Sequence, residues 1–528
     1  MIRSALAAAA AVMLTAAIAP SAPAQEAAEQ RLGAVHFETS CNEVAQRRFD
    51  RGMRYQHSFW YRASREIFED ALKADPECAI AYWGIAQSLL LNPFGVPPAA
   101  NLAQGRAALD KAKAIGAKTA RENEFIAALV AFYTDYDKLD HRTRVQAYLK
   151  AMETLAQHYP QDDEAQIYYA LALDVGASPA DKTYANQLKA AAILEEIFKR
   201  QPQHPGVAHY LIHSYDYPPI AAKGLDAATR YSKIAPSAPH AQHMPSHIFT
   251  RVGYWKESIA ANLASVRAAK ADKEYGDQLH GQDYLVYAYL QLGQDKAARA
   301  VIDEMARAGA SDAPGASFAL AASPARYMVE RGDWRGAAAL EVRPSKFLHV
   351  MAISHFARAL GAARSGAPDA AAADIAKLAE LRDKLRAAND VYWAGQVDIQ
   401  HQIASAWLLY AQGRYDEALK TMTAAVDAED KTEKSPVTPG PIAPARELYG
   451  AMLLERGMAK EALAAFEATL NKEPHRLGAT LGAGKAAEQA GDAAKARVHY
   501  AGTAALAENA DPGRPEIVAA RAFVAKAD

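Results

Sequence analysis

The sequence predicts an all-α protein, a superhelical solenoid of antiparallel helix pairs, and three observations carry that prediction. Apolar residues recur at helical spacing from Phe49 onward, while no segment sustains the alternation of a strand. Turns centred on Gly253, Gly293, Gly332, Gly366, Gly413, Gly457 and Gly491 follow one another at 40, 39, 34, 47, 44 and 34 residues, so units of one basic length alternate with units carrying inserts. Two His-x-x-x-His pairs, His209/His213 and His243/His247, are offset by 34 residues at both members. That offset is the length of a two-helix repeat.

Taken in order, residues 1–24 read as an export signal. Met1-Ile2-Arg3 is a basic start, Ala5 to Ala19 is apolar, and Ala22-Pro23-Ala24 has the small-x-small form of a cleavage site. A periplasmic or secreted protein is the expectation. Residues 25–40 are polar and outside any repeat frame, which predicts an extended or poorly ordered arm. The helical array is expected over 41–430. Its first clear unit places Gly52, Tyr61, Phe68, Ala71 and Pro76 where paired helices need a small contact residue, bulky residues between helices and a helix stop. Residues 431–445 contain Pro436, Pro439, Pro441 and Pro444 and read as a stiff, ordered connector. C-terminal units fill 446–528, the clearest running from Leu448 to Pro474 with Ala462 and Phe466 in its second helix.

Composition excludes two classes of partner. With 59 basic and 61 acidic residues the net charge is −2, which gives no footprint for nucleic acid. No later segment has the ~18 uninterrupted apolar residues of a membrane span. The two cysteines, Cys41 and Cys78, lie 37 residues apart at the same end of adjacent units, and export would let them form a disulfide. Two unpaired thiols, or a metal site with His36 and His57, are the alternatives.

These patterns resemble the tetratricopeptide repeat superfamily. The match is closer to a group of exported bacterial tetratricopeptide proteins that share H36-F-E-T-S-C41, H57-S-F-W-Y61, C78-A-I-A-Y-W-G84, H209-Y-L-I-H213, H243-M-P-S-H247 and P439-G-P-I-A-P-A-R-E-L448. The resemblance covers most of the chain after residue 24 and implies a right-handed superhelix whose first helices line a concave groove. His209, His213, His243 and His247 match the groove positions that contact ligands. The superfamily more often has Asn, Lys or Arg there, so the peptide-carboxylate mode is not carried over.

Two functional readings follow. In the first, the concave face presents a histidine and tyrosine groove to a protein segment or small ligand, with His209, His213, His243, His247, Tyr210, Asp283 and Tyr287 as contacts and no cofactor. In the second, the two histidine pairs bring four imidazoles together to hold zinc or copper, joined by neighbours such as Asp216, His240 and His280. Pro245 either kinks the helix between His243 and His247 or starts it, leaving His243 in a loop. A hydrolase using that metal, with Asp216, Asp283 or Glu257 as base, is a third possibility. Signatures of the common enzyme classes, such as G-x-S-x-G, H-E-x-x-H and a phosphate loop, are absent from the sequence.

Overall fold

A computed structural model describes residues 30–307 and 313–526, and no strand occurs among them. The signal at 1–24 lies outside the described residues, as do positions 25–29 of the arm. As expected of an all-α repeat array, each helix packs chiefly on its neighbours in the chain. All seven turn glycines adopt positive φ, between 65° and 84°, a region that residues with a Cβ enter at a cost. At Gly253 the requirement is doubled, because an added Cβ would also collide with the Pro474 carbonyl.

The repeat packing is the same near both ends of the chain. The Phe68 ring lies between Gly52 and Gly84, 16 residues away on either side, and a Cβ at those glycines would come within 2.6 and 2.7 Å of it. Phe466 lies between Gly450 and Gly482 at the same spacing. Glycine on two helices makes room for one ring of the helix between them. Truncating such a buried ring to alanine costs about 3–5 kcal/mol.

Residues 33–39 are non-helical but not loose. The Ala34 amide donates to the Gln203 carbonyl at 3.0 Å, and buried Phe37 lies 4.9 to 5.6 Å from the rings of Phe49, Trp83 and Phe125. The arm is therefore extended and anchored in the first core. Cys41 and Cys78 form the disulfide, with Cα atoms 5.1 Å apart, so neither joins a metal site. Closing 37 residues removes chain entropy from the unfolded state.

The connector at 431–445 is ordered, as its prolines predict, but it does not divide the core. Ile442 and Ala443 belong to the apolar cluster that runs from Phe318 to Met452. Arg326, fully buried, donates to the carbonyls of Pro441 and Gly440. The C-terminal units fold back on the middle of the chain rather than standing apart. Trp255 donates to the His475 carbonyl, the Asp511 amide to that of Gly293, and Arg514 pairs with Asp295. Buried Arg476 joins Glu330 to Glu447.

Candidate metal centre

The centre is built on helices between Pro205 and Gln291. Pro205 opens the helix Pro205–Tyr215, where proline's missing N–H goes unnoticed, and the His204 side chain caps it by accepting from the Val207 amide at 3.3 Å. His209 and His213 then lie one turn apart on one face. Pro245 divides the following segment into Pro239–His243 and Pro245–Arg251, with Met244 between them still in helical conformation. The break is thus a kink, and His243 ends the first piece instead of lying in a loop. Trp255–Asp272 supplies Asn262, and Tyr275–Gln291 supplies His280 and Tyr284.

Six histidines gather in two adjacent triads, His209/His213/His240 and His243/His247/His280, with ligand atoms inside each triad all within 4.8 Å of one another. In the first, the Nε2 atoms of His213 and His240 both lie 3.2 Å from that of His209. In the second, His243 and His247 bring their Nε2 atoms to 3.0 Å. Nitrogens each about 2.0–2.1 Å from one tetrahedral ion stand about 3.3–3.4 Å apart, so these spacings are close to those of a metal's ligands. The triads meet through ring centroids 6.2 Å apart for His213/His247 and 6.1 Å for His240/His243.

Hydrogen bonds on the far side of the rings decide which nitrogen is free. The Asn262 amide nitrogen donates to the Ser258 carbonyl, which turns its oxygen to His243. His243 Nδ1–H therefore donates to Asn262 Oδ1 at 2.6 Å, and His247 Nδ1–H donates to Asp216 Oδ2 at 2.9 Å. Both Nε2 atoms are then lone pairs facing each other, with no proton to share. His209 Nδ1–H likewise donates to the His57 carbonyl at 2.7 Å. Imidazoles oriented this way by an outer partner are the usual ligands of bound metals.

Protonation is opposed as a remedy for the facing lone pairs. Burial first, and then the neighbouring rings, hold His209, His213, His240, His243 and His280 well below the ordinary histidine range. His247 is also lowered by burial, but the Asp216 hydrogen bond and charge counteract it. Asp216 pairs with Arg251 at 2.8 Å and Lys434 at 3.0 Å. Burial pushes its carboxyl up, yet those two cations hold it well below the usual carboxylate range. Lys434, from the proline-rich segment, is itself lowered to about 8 by burial.

A third buried group, His57/Glu164/His204, is of another kind. Glu164 accepts from His57 Nε2 at 3.1 Å and His204 Nε2 at 2.9 Å, and His57 Nδ1 meets the Tyr210 hydroxyl at 3.0 Å. Every ring nitrogen is taken, since His204 Nδ1 serves as the helix cap. These bonds hold the His57 carbonyl where His209 needs it.

The structure corrects several expectations. The two pairs do not share one four-ligand site, because each is completed by a histidine of a following helix: His240 for the first pair and His280 for the second. Asp216 orients His247 and is tied to two cations, so it is not a direct ligand. Asp283 bonds Ser323 at 3.0 Å and lies 4.0 Å from Arg326. Tyr210 serves His57, and Tyr287 bonds Glu473 and Arg476. All three are buried in packed layers, not on an open groove wall. His209, His213, His243 and His247 are no more than 5% exposed. Sequence reasoning missed Asn262 and Lys434, whereas Tyr284 is one of the middle-unit tyrosines that the sequence offers as groove lining.

No family model and no curated protein matches the chain. The chain is an all-α protein of successively packed helices. Among solved structures it is similar to yeast Tom70, at 13% identity over 92% of this chain and 96% of that one with a TM-score of 0.28. It is also similar to the human IFIT1 dimer with PPP-AAAA, at 11% identity over 92% and 99% with a TM-score of 0.39. The TPR domain of P58(IPK) aligns at 13% identity over 70% and 99%, with a TM-score of 0.22. No site residue is transferred from these likenesses.

Proposed function

We propose that the chain is a metal-binding repeat protein in which two histidine triads hold two ions, zinc or copper, one ion in each triad. The observation that supports this most directly is the pair of unprotonated Nε2 atoms of His243 and His247, 3.0 Å apart and buried. Two lone pairs at that distance repel unless a cation lies between them, and among the described residues the neighbouring cations Lys434 and Arg251 are engaged with Asp216. Imidazole suits both metals, and the general affinity order favours copper over zinc. Three imidazoles leave each ion a further position for a small ligand.

The repeat scaffold supplies rigidity, since the first pair lies on one helix, the second on two helical pieces joined at Met244, and each is completed by a histidine of a later helix. The expectation of an open histidine and tyrosine groove for a protein segment is narrowed by burial, because the chain's own 431–445 segment reaches this region. Lys434 pairs with Asp216, and the Thr438 carbonyl accepts from the Tyr284 hydroxyl at 3.2 Å. For the hydrolase reading, Asp216 is held by two cations and Glu257 is exposed, while Asp283 bonds Ser323 through one oxygen only.

Elemental analysis of protein purified without a histidine tag, after exposure to zinc or copper and removal of excess, tests the proposal. About two ions per chain are expected for the native sequence and fewer than one for His213→Ala/His247→Ala. Near-zero metal in both proteins would overturn it.

A further inference from the structure

Beside the histidine triads lies a partly open cleft lined among others by Phe318, His349, Trp393, Gln400, Glu433 and Lys434. It belongs to neither triad, and three features describe what it would accept. The first is a flat aromatic wall. His349 and Trp393 stack with ring centroids 3.9 Å apart and planes within 4°, and Phe318 lies 6.0 Å from Trp393. Burial pushes His349 down to about 4, so that ring is neutral and adds no charge to the wall.

The second feature is an unused acceptor. Glu433 is 7% exposed. Its Oε1 accepts from Lys182 at 2.7 Å and the Tyr184 hydroxyl at 2.9 Å, while its Oε2 is buried without a partner. Gln400 Oε1, on the same lining, is also buried and unpartnered. Buried acceptors of this kind cost stability unless a donor arrives. The third feature is mixed charge: Lys434, Arg251 and Lys472 line the cleft together with Glu429, Glu433 and Glu473. A lone ammonium would meet the cations and a lone carboxylate the acids, so the lining gives no net advantage to a ligand of either charge.

We infer that this cleft binds a phenol, a planar ring stacked against the Trp393 and His349 wall whose neutral O–H donates to Glu433 Oε2. The cleft carries this by its own residues. Its relation to the metal centre, which rests on the metal-binding reading, runs through Lys434 and Arg251. Both line the cleft and hold Asp216, the residue that orients His247. A bound phenol would thus lie one layer of side chains from the second triad.

Ligand-observed NMR and tryptophan fluorescence titration with 4-methylphenol, toluene and cyclohexanol, on the full chain with and without added metal, test the inference. Expected is binding of 4-methylphenol at least tenfold tighter than either analogue, since toluene lacks the donor and cyclohexanol the flat ring. Trp393→Leu should weaken 4-methylphenol at least tenfold, and Glu433→Gln should shrink its advantage over toluene. Should Glu433→Gln fail to fold, Gln400→Leu, at a half-buried position, takes its place with the same expected direction. Equal binding of 4-methylphenol and cyclohexanol, or unchanged affinity in Trp393→Leu, would overturn the inference. His209→Ala/His247→Ala separates the two proposals: phenol binding retained without metal supports the cleft, and phenol binding absent from a chain that still loads two ions removes the cleft alone.

Discussion

The two triads present the same ligand set in opposite surroundings. The first is walled by rings: Phe59 lies 4.3, 5.2 and 5.8 Å from His209, His240 and His213, Phe94 stacks on His213 at 4.4 Å, and Tyr231 stacks on His209 at 5.1 Å. Its one outer hydrogen bond from His209 goes to a neutral carbonyl. The second is held by an amide and a carboxylate, with the Tyr284 hydroxyl 3.4 Å from His247 Nε2. An ion's charge is costly to bury without compensation. Asp216 offers part of that compensation to the second triad through a direct hydrogen bond to His247, whereas its charge reaches the first only through space, at His213. The second triad should therefore hold a divalent ion more tightly, and the first should favour singly charged copper.

The largest effect expected comes from removing one ligand per triad. His209→Ala should abolish binding at the first site and leave the second, and His247→Ala should do the reverse, each read as loss of about one ion per chain by elemental analysis. Loss of both ions from either single variant would mean that the triads act as one site, and the comparison would fall. Next in size is Asp216→Asn, which keeps the shape but removes the charge behind His247. Removing an outer partner of a metal-bound histidine costs about 10–100-fold in affinity. That loss should appear at the second site alone in competition titrations with a chromophoric chelator.

How far the sequence reveals this contrast depends on the range of each interaction. The 34-residue offset of the histidine pairs and the glycine turns report local geometry that recurs, so the repeat fold and the convergence of both histidine pairs were legible. Phe68 and the disulfide were legible for the same reason, since helix contacts between neighbouring units are fixed by short spacings. Lys434 was not: it meets Asp216 across 218 residues, and nothing in a proline-rich stretch says which wall it will lie against. Asp283 shows the opposite failure. It falls in register with His243 once the insert is allowed for, yet it turns to Ser323, while His280, one helical turn earlier, takes the place in the triad.

A third prediction concerns acid. All six histidines are lowered, but His247 less than the rest because Asp216 favours its charged form. In metal-free protein His247 should be the first of the six to protonate as pH falls, followed by the others. The sign follows from proton binding: the unfolded chain takes up protons near 6.5 and the folded rings only below that. The stability that these neutral rings contribute is therefore complete above about pH 6.5 and declines as pH falls toward the folded values. Bound metal shifts protonation lower still, since ligands must be neutral. Histidine ring proton shifts followed against pH, in the native chain and in Asp216→Asn, test the order. His247 titrating last in the native chain would contradict it.

The smallest effect expected is at Phe94. Its ring stacks on His213 from the 92–98 loop and is half-buried, so it restricts that imidazole without being a ligand. An aromatic pair of this kind is worth about 0.5–1.5 kcal/mol beyond its buried area, which corresponds to about two- to tenfold in an equilibrium. Phe94→Leu keeps much of the apolar cover and loses the stacking, so the first site should weaken or exchange metal faster within that range while the second is unchanged. Stopped-flow transfer of metal to a chelator, with the two sites separated by the His209→Ala and His247→Ala backgrounds, measures this. Equal acceleration at both sites would show that Phe94 acts on the whole fold, and the aromatic wall would lose its claim to set the first triad apart from the second.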